Sequence, residues 1–231
     1  MKLFMDSANL DDIINGTPPL LIDGYTTNPT LMKKAGVTDY EKFAKEIIKA
    51  IPDLPISFEV ITDDLPTMKN QARQISSWGS NVFVKIPIMT TTGISTTPII
   101  RELTEQGIKL NITAVMTIEQ VFGVRDAIMS DFTDSIISIF AGRIADTGRD
   151  PIPTMKDAVM VCRNWPNIKI LWASPREVLN IYQAEECGCH IITATPDLIA
   201  KLHLKNKNLN EFSRETVQMF FDDAKKAGLS L

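Results

Sequence analysis

The sequence predicts a single (β/α)8 barrel, and three observations carry that expectation. Eight short apolar runs recur along the chain, most of them continuous rather than alternating, as in strands covered on both faces. Each is followed by polar residues and a helical pattern, in segments long enough for a parallel crossover. Eight such units in 231 residues suit a closed barrel. A doubly wound open sheet is the other closure the alternation allows. Its dinucleotide-binding form would carry Gly-x-Gly-x-x-Gly after an early strand; the chain has none, and no Walker-type phosphate loop either.

Taken in order, KLFMD (2–6) is the first strand, followed by a short helix near 9–15. LLIDGYTTNP (20–29) is the second, with Asn28-Pro29 as a turn signal at its end. Asp39 caps YEKFAKEIIKAI, which sets Phe43, Ile47 and Ile48 on one face and stops at Pro52. PISFEV (55–60) leads into a helix over 66–78, opened by Pro66 and carrying Met68, Ala72, Ile75 and Trp78. NVFVKIPI (81–88) leads into 97–106, ended by Gly107. IKLNITAV (108–115) precedes 117–129, whose apolar stripe is Ile118, Val121, Phe122, Val124 and Ile128. SIISIFAG (135–142) and IKILWAS (168–174) precede helices over 154–164 and 175–187, the latter stopped by Gly188. HIITAT (190–195) is the eighth strand, before a short helix over 196–203. KLHLKNKNLNEF (201–212) reads as a linker to an additional C-terminal helix over 211–227, with the whole chain, 1–231, forming one domain.

The net charge of −4 leaves no basic stripe to neutralise a phosphate backbone, so no nucleic-acid partner is expected. A small phosphorylated substrate needs only one or two placed arginines. MKLFMDSANL meets Asp6 before an apolar signal core forms, and no run reaches membrane-spanning length. Three cysteines, Cys162, Cys187 and Cys189, favour reduced thiols and a cytoplasmic setting. CGCH (187–190) lacks a second ligand pair, and the only other histidine is His203; no metal and no cofactor are expected.

Lys85 stands inside a run of Val, Phe, Ile and Met, where a cation is costly. It either reaches solvent by snorkelling, is paired, or serves chemistry. In a barrel the site lies at the carboxyl ends of the strands. Asp6, Thr27, Asn28, Glu59, Asn111, Thr113, Phe140, Arg143, Ser174, Arg176, Thr193 and Thr195 all fall there. Burial lowers a lysine pKa and a nearby carboxylate raises it. A partly neutral amine can attack a carbonyl, form a Schiff base and act as an electron sink for carbon–carbon cleavage. Asp6 and Glu59 can supply the acid/base steps. The plainer readings stay open: Asp6 as a cap for a helix starting at Ser7, Glu59 and Lys85 as a structural ion pair, and Asn28-Pro29 as a turn.

FMDSAN, DGYTTNPTL, FVKIP, IKLNITAV, SIFAGRIAD and LWASPRE, in this order over essentially the whole chain, resemble the short form of the transaldolase family, which includes the fructose-6-phosphate aldolases. The resemblance implies a class I aldolase barrel of the pentose phosphate pathway, with sugar phosphates as substrates. It implies Lys85 as the Schiff-base lysine, Asp6 as the acid/base at the substrate hydroxyl, and Glu59 with Thr113 holding the catalytic water. Asn28 and Asn111 would bind substrate hydroxyls; Ser174, Arg176 and Arg143 would hold the phosphate. Glu59 and Phe140 match the transaldolases, where the aldolases usually carry glutamine and tyrosine. The activity implied is transfer of a dihydroxyacetone unit from sedoheptulose 7-phosphate or fructose 6-phosphate to an aldose phosphate. The alternatives are an aldolase releasing free dihydroxyacetone and a non-catalytic sugar-phosphate-binding barrel.

The chain departs from the family pattern in three places. ASPRE is shorter than its usual counterpart, Ala145 replaces the usual acidic residue after GRI, and TTTGIS after Met89 is unusual. The apolar residues Phe212, Val217, Met219, Phe220 and Phe221 of the last helix either pack on the barrel or meet a neighbour; the resemblance implies a homo-oligomer, pentamer or decamer.

Overall fold

A computed structural model describes residues 1–14, 22–128 and 133–230. Its strands are β1 (Lys2–Asp6), β2 (Gly24–Thr26), β3 (Ile56–Glu59), β4 (Val82–Pro87), β5 (Leu110–Val115), β6 (Ser135–Ile139), β7 (Ile168–Trp172) and β8 (Ile191–Ala194). All neighbours are parallel, and β8 pairs with β1 to close the barrel. The (β/α)8 expectation holds.

Strand geometry explains why the runs look continuously apolar. Alternate residues face opposite sides of the sheet. Ile56, Phe58, Val82, Val84, Ile86, Leu110 and Ile112 are buried and belong to the set facing the helices. The opposite set holds both an apolar cluster and the polar residues of the barrel's mouth. Phe4, Ile136, Leu171, Ala173 and Ile191 cluster, with Phe83 and Phe140 packed against them. Further along those faces stand Asp6, Ser57, Glu59, Lys85, Asn111, Thr113 and Ser138. Register brings these together: Asp6 lies beside Thr26, Thr26 beside Ser57, Glu59 beside Lys85, and Lys85 beside Asn111.

The helices of the barrel unit are α1 (Leu10–Ile14), α2 (Pro29–Lys34), α3 (Tyr40–Ala50), α4 (Leu65–Ser76), α5 (Thr97–Glu105), α6 (Ile118–Ala127), α7 (Ala141–Asp146), α8 (Ile152–Cys162), α9 (Leu179–Glu186) and α10 (Pro196–Ala200). Asp39 caps α3 by accepting from the Lys42 N–H at 3.0 Å, and α3 buries Phe43, Ala44 and Ile47. Asp64 caps α4 through Thr67. Thr117 and Gln120 form a capping box on α6. That helix buries Val121, Val124 and Ala127, while Phe122 stays exposed with the Arg125 guanidinium 4.9 Å from its ring.

Four local expectations are corrected. Asn28-Pro29 is more than a turn: it is the N-cap and first residue of α2, where the missing proline N–H costs nothing. The sixth strand stops at Ile139, and Phe140 turns the chain straight into α7; the one breaker in the SIFAG run, Gly142, lies inside that helix rather than at the strand's end. The helix expected over 175–187 begins only at Leu179. The linker expected over 201–212 holds a 3-10 turn, Lys201–Leu204, and the start of α11 (Leu209–Lys226). Of the expected elements, residues 15, 20, 21 and 129 lie outside the described residues.

Contacts divide the chain into Met1–Ile199 and Ala200–Leu231. In the second unit Asn208 caps α11 by accepting from the N–H groups of Asn210 and Glu211, and Lys207 pairs with Glu215. No residue of α11 is buried; Phe212, Val217, Met219, Phe220 and Phe221 are exposed. Among the described residues no helix is long and apolar enough to cross a membrane.

Gly24 faces Phe4 across β1 and β2. A Cβ there would lie 2.6 Å from the Phe4 ring and 2.8 Å from the Pro55 ring. Gly24→Ala therefore overpacks the barrel interior, and urea unfolding should show a loss of about 1–3 kcal/mol. An unchanged midpoint would mean that Phe4 moves freely.

Candidate active site

The carboxyl ends of the strands enclose a cavity of about 470 Å³. Its wall includes Asp6, Thr26, Asn28, Glu59, Lys85, Thr113, Ser138, Phe140, Arg143, Ser174 and Thr193. Lys85 is only 6% exposed. Its Nζ donates to the Thr27 carbonyl at 2.8 Å and lies 3.2 Å from Glu59 Oε2. The snorkelling reading thus fails, and the paired reading holds. Pairing does not exclude chemistry, because the amine opens on a cavity that two carboxylates share.

Asp6 ends β1 beneath that cavity. Its Oδ1 accepts from Thr26 Oγ1 at 2.8 Å, and Thr26 Oγ1 meets Thr193 Oγ1 at 2.6 Å. Its Oδ2 faces Asn28 Nδ2 at 3.5 Å. Burial pushes the Asp6 carboxyl above its ordinary value of 3.8; Lys85 and the Thr26 bond pull it back, while Glu59 adds to the rise. Asp6 caps no helix. Ser7 organises the turn instead, its Oγ accepting from the Asn9 N–H and donating to Asp12 before α1 begins at Leu10.

Asn28 has two tasks. Its Oδ1 accepts the Leu31 N–H and so caps α2. That bond orients the amide, leaving Nδ2 directed at Asp6. Asn111 is placed differently from the expectation. It is fully buried, its Nδ2 donates to Ser57 Oγ at 3.0 Å, and its Oδ1 accepts from Ser138 Oγ at 2.6 Å. It is not in the cavity wall; Ser138 is. Thr113 does line the cavity, and its buried Oγ1 finds no hydrogen-bond partner among the described residues.

Two residues of the wall sit in the left-handed region, Ala114 at φ 61° and Ser174 at φ 60°. Neither is glycine, so each carries local strain. Ala114 lies where the β5–β6 register shifts between Ile112 and Val115. Ser174 follows β7 and presses on α7: a Cβ on Gly142 would come 1.6 Å from the Ser174 carbonyl oxygen. Only glycine permits this approach. It brings Ser174 and Arg143 to one wall.

Arg176 is not brought there. Its Nε donates to Asp146 Oδ1 at 3.1 Å, its Nη2 pairs with Asp146 Oδ2, and both residues are exposed. The acidic residue missing at 145 is present one place later, at Asp146, and it takes this arginine. Of the three residues expected to hold the phosphate, only Arg143 and Ser174 line the cavity. Sequence reasoning also passed over Thr26 and Ser138 as site residues. Their signal was parity: Ser138 lies two residues before Phe140, and Thr26 two before Asn28.

The raised Asp6 pKa has a signed consequence. Between 3.8 and the higher native value the folded state binds more protons than the unfolded one, so stability falls as pH rises through that window. Above the window the full penalty remains; below 3.8 it vanishes. Asp6→Asn should melt at a higher temperature than the wild type at pH 7, with the gap narrowing toward pH 4. A gap that widens on acidification would contradict this.

The family model for Transaldolase/Fructose-6-phosphate aldolase matches residues 3–231. A probable transaldolase of a Thermoanaerobacter species is 32% identical over 232 residues, covering 100% of both chains. A probable transaldolase 2 of Listeria monocytogenes is 35% identical over 219 residues, covering 93% of this chain and 95% of the relative. Among solved structures, one described as native KDPGal aligns with a TM-score of 0.56 at 14% identity, covering 86% of this chain and 84% of its own. KGPDC from Streptococcus mutans aligns with a TM-score of 0.56 at 12% identity, covering 84% of this chain and 88% of its own. Those two speak to the barrel fold alone. The family match along nearly the whole chain, over a barrel whose mouth gathers a buried lysine and two carboxylates, places this protein in the transaldolase/fructose-6-phosphate aldolase family, as a transaldolase-type aldolase.

Proposed function

We propose that this enzyme transfers a dihydroxyacetone unit from a ketose phosphate, sedoheptulose 7-phosphate or fructose 6-phosphate, to an aldose phosphate through a Schiff base on Lys85. The observation that carries the reading is a buried amine 3.2 Å from one carboxylate and sharing its cavity with a second. The Lys85 ammonium passes a proton to Glu59, directly or through water, and the free amine adds to the ketose carbonyl. Loss of water from the carbinolamine gives the iminium. Asp6 then takes the proton of the C4 hydroxyl as the C3–C4 bond breaks, the aldose leaves, and the bonding electrons pass to the iminium as an enamine. The enamine attacks the acceptor aldehyde, Asp6 returns the proton, and water releases the new ketose. A group that must both take and return a proton is served by a pKa raised from the ordinary carboxylate range, the direction in which burial moves Asp6. Thr113 Oγ1, unpartnered among the described residues and beside the cavity, suits the water that Glu59 activates. Arg143 and Ser174 suit the terminal phosphate.

The second reading is a fructose-6-phosphate aldolase releasing free dihydroxyacetone. Phe140 favours transfer: it lines the cavity without a hydroxyl that could protonate the three-carbon unit and free it. The three free cysteines accord with a cytoplasmic setting. The exposed apolar residues of α11 support a homo-oligomer, pentamer or decamer.

Borohydride with fructose 6-phosphate should leave an adduct mapped to Lys85 and absent from Lys85→Met. A wild-type protein that traps nothing is a sugar-phosphate-binding barrel. In a coupled assay, turnover should require an acceptor aldehyde, and release of dihydroxyacetone without one would establish the aldolase. Phe140→Tyr should raise cleavage relative to transfer; an unchanged ratio would remove Phe140 as the determinant.

A further inference from the structure

The β2–β3 ladder is built from donors two residues apart. The Tyr25 N–H donates to the Pro55 carbonyl at 2.8 Å, and the Thr27 N–H donates to the Ser57 carbonyl at 3.2 Å. The next carbonyl on that edge belongs to Glu59, and the next donor in sequence would be residue 29. Asn28 keeps the backbone extended at φ −155° and ψ 161°, but residue 29 is proline and has no N–H. The Glu59 carbonyl would lose its ladder partner at the point where its side chain meets Lys85.

Tyr40 fills the gap. As the first residue of α3, it sends its hydroxyl to the Glu59 carbonyl at 2.9 Å. Its ring meets Phe58 edge-on at 6.2 Å and Trp78 edge-on at 5.5 Å, and those two meet each other at 5.8 Å. Three rings at such angles fix where the hydroxyl stands. Burial pushes the Tyr40 phenol far above its ordinary value, so it remains a donor at every working pH.

We infer that Tyr40 is a positioning residue for Glu59: its hydroxyl replaces the ladder donor that Pro29 cannot supply and fixes the end of β3 so that the Glu59 carboxylate faces Lys85. The inference rests on the proposed role of Glu59 in Schiff-base formation and hydrolysis. Without the bond the carbonyl is unpaired, and the end of β3 can rotate or draw in water. A carboxylate displaced by a fraction of an ångström handles water and protons more slowly, while substrate contacts on the other side of the cavity are untouched.

The test compares Tyr40→Phe, which keeps the ring and removes only the donor, with Glu59→Gln and with Val124→Ala, a core change on α6 that lowers stability by cavity formation away from the site. Tyr40→Phe should lower kcat about tenfold with KM within about twofold, and slow borohydride trapping at Lys85 by a similar factor. Val124→Ala should keep kcat near the wild-type value. A Tyr40→Phe enzyme with unchanged kcat beside an impaired Glu59→Gln overturns the positioning role alone. A loss confined to KM, or one matched by Val124→Ala, overturns it as well. An unimpaired Glu59→Gln removes the catalytic use of Glu59 and the positioning role with it.

Discussion

A single cation inside a closed sheet sets the conditions for everything around it. Taking an ammonium out of water costs several kcal/mol even after relaxation. Lys85 recovers part of that from one carbonyl, that of Thr27, and part from Glu59. Asp6 then adds a second negative charge to the same enclosure, so the trio carries a net charge of −1 when all three are ionised. The raised pKa of Asp6 follows from this crowding as well as from burial. A purely structural ion pair would not need the second carboxylate, which the fold tolerates at a cost to its own stability.

The barrel contains that cost by dividing its interior along the axis. Phe4, Ile136, Leu171 and Ile191, with Phe83, make an apolar layer on which the polar residues rest. Above it Asn111 ties Ser57 to Ser138, joining β3, β5 and β6 around the lysine-bearing strand β4. A buried polar network of this kind is stable only when its members satisfy one another. Here the amide and both hydroxyls are engaged. Thr113, one step nearer the mouth, is left without a partner among the described residues. Two of the three non-glycine residues with positive φ among the described residues, Ala114 and Ser174, line the same cavity.

Fold and site differed in how far the sequence exposed them. The eight strands were legible because outward residues such as Ile56, Phe58, Val84 and Ile112 are almost all apolar, and caps such as Asp39 mark the helix starts. Lys85, Asp6 and Glu59 were legible because each breaks an apolar run near a strand end. The short helices α2 and α7 were not. Six residues leave no helical period to detect, and the signal of Asn28-Pro29 serves a turn and a cap equally well. Asn111 was expected at the mouth, where Ser138, passed over in the sequence, stands instead, because burial depth along a strand is invisible in sequence; residues two apart face the same way but meet different layers. Arg176 stands apart from Arg143 and Ser174 for another reason. Its partner Asp146 lies thirty positions away, and only the close approach permitted by Gly142 brings the two together.

The segment Thr27–Pro29 shows how tightly local choices are coupled near the lysine. A strand that must end over the cavity and give way at once to a helix benefits from a capping asparagine followed by proline. The same proline removes a donor from the strand edge, and the carbonyl it deserts belongs to Glu59. The preceding residue, Thr27, has its own carbonyl taken by Lys85. Helix start, lysine anchor and carboxylate support thus fall within three consecutive residues, and none can be altered without touching another. Supplying the missing donor from a separate helix, through Tyr40, separates the placement of Glu59 from the turn, so the end of β3 is held by α3 while β2 is free to turn into α2.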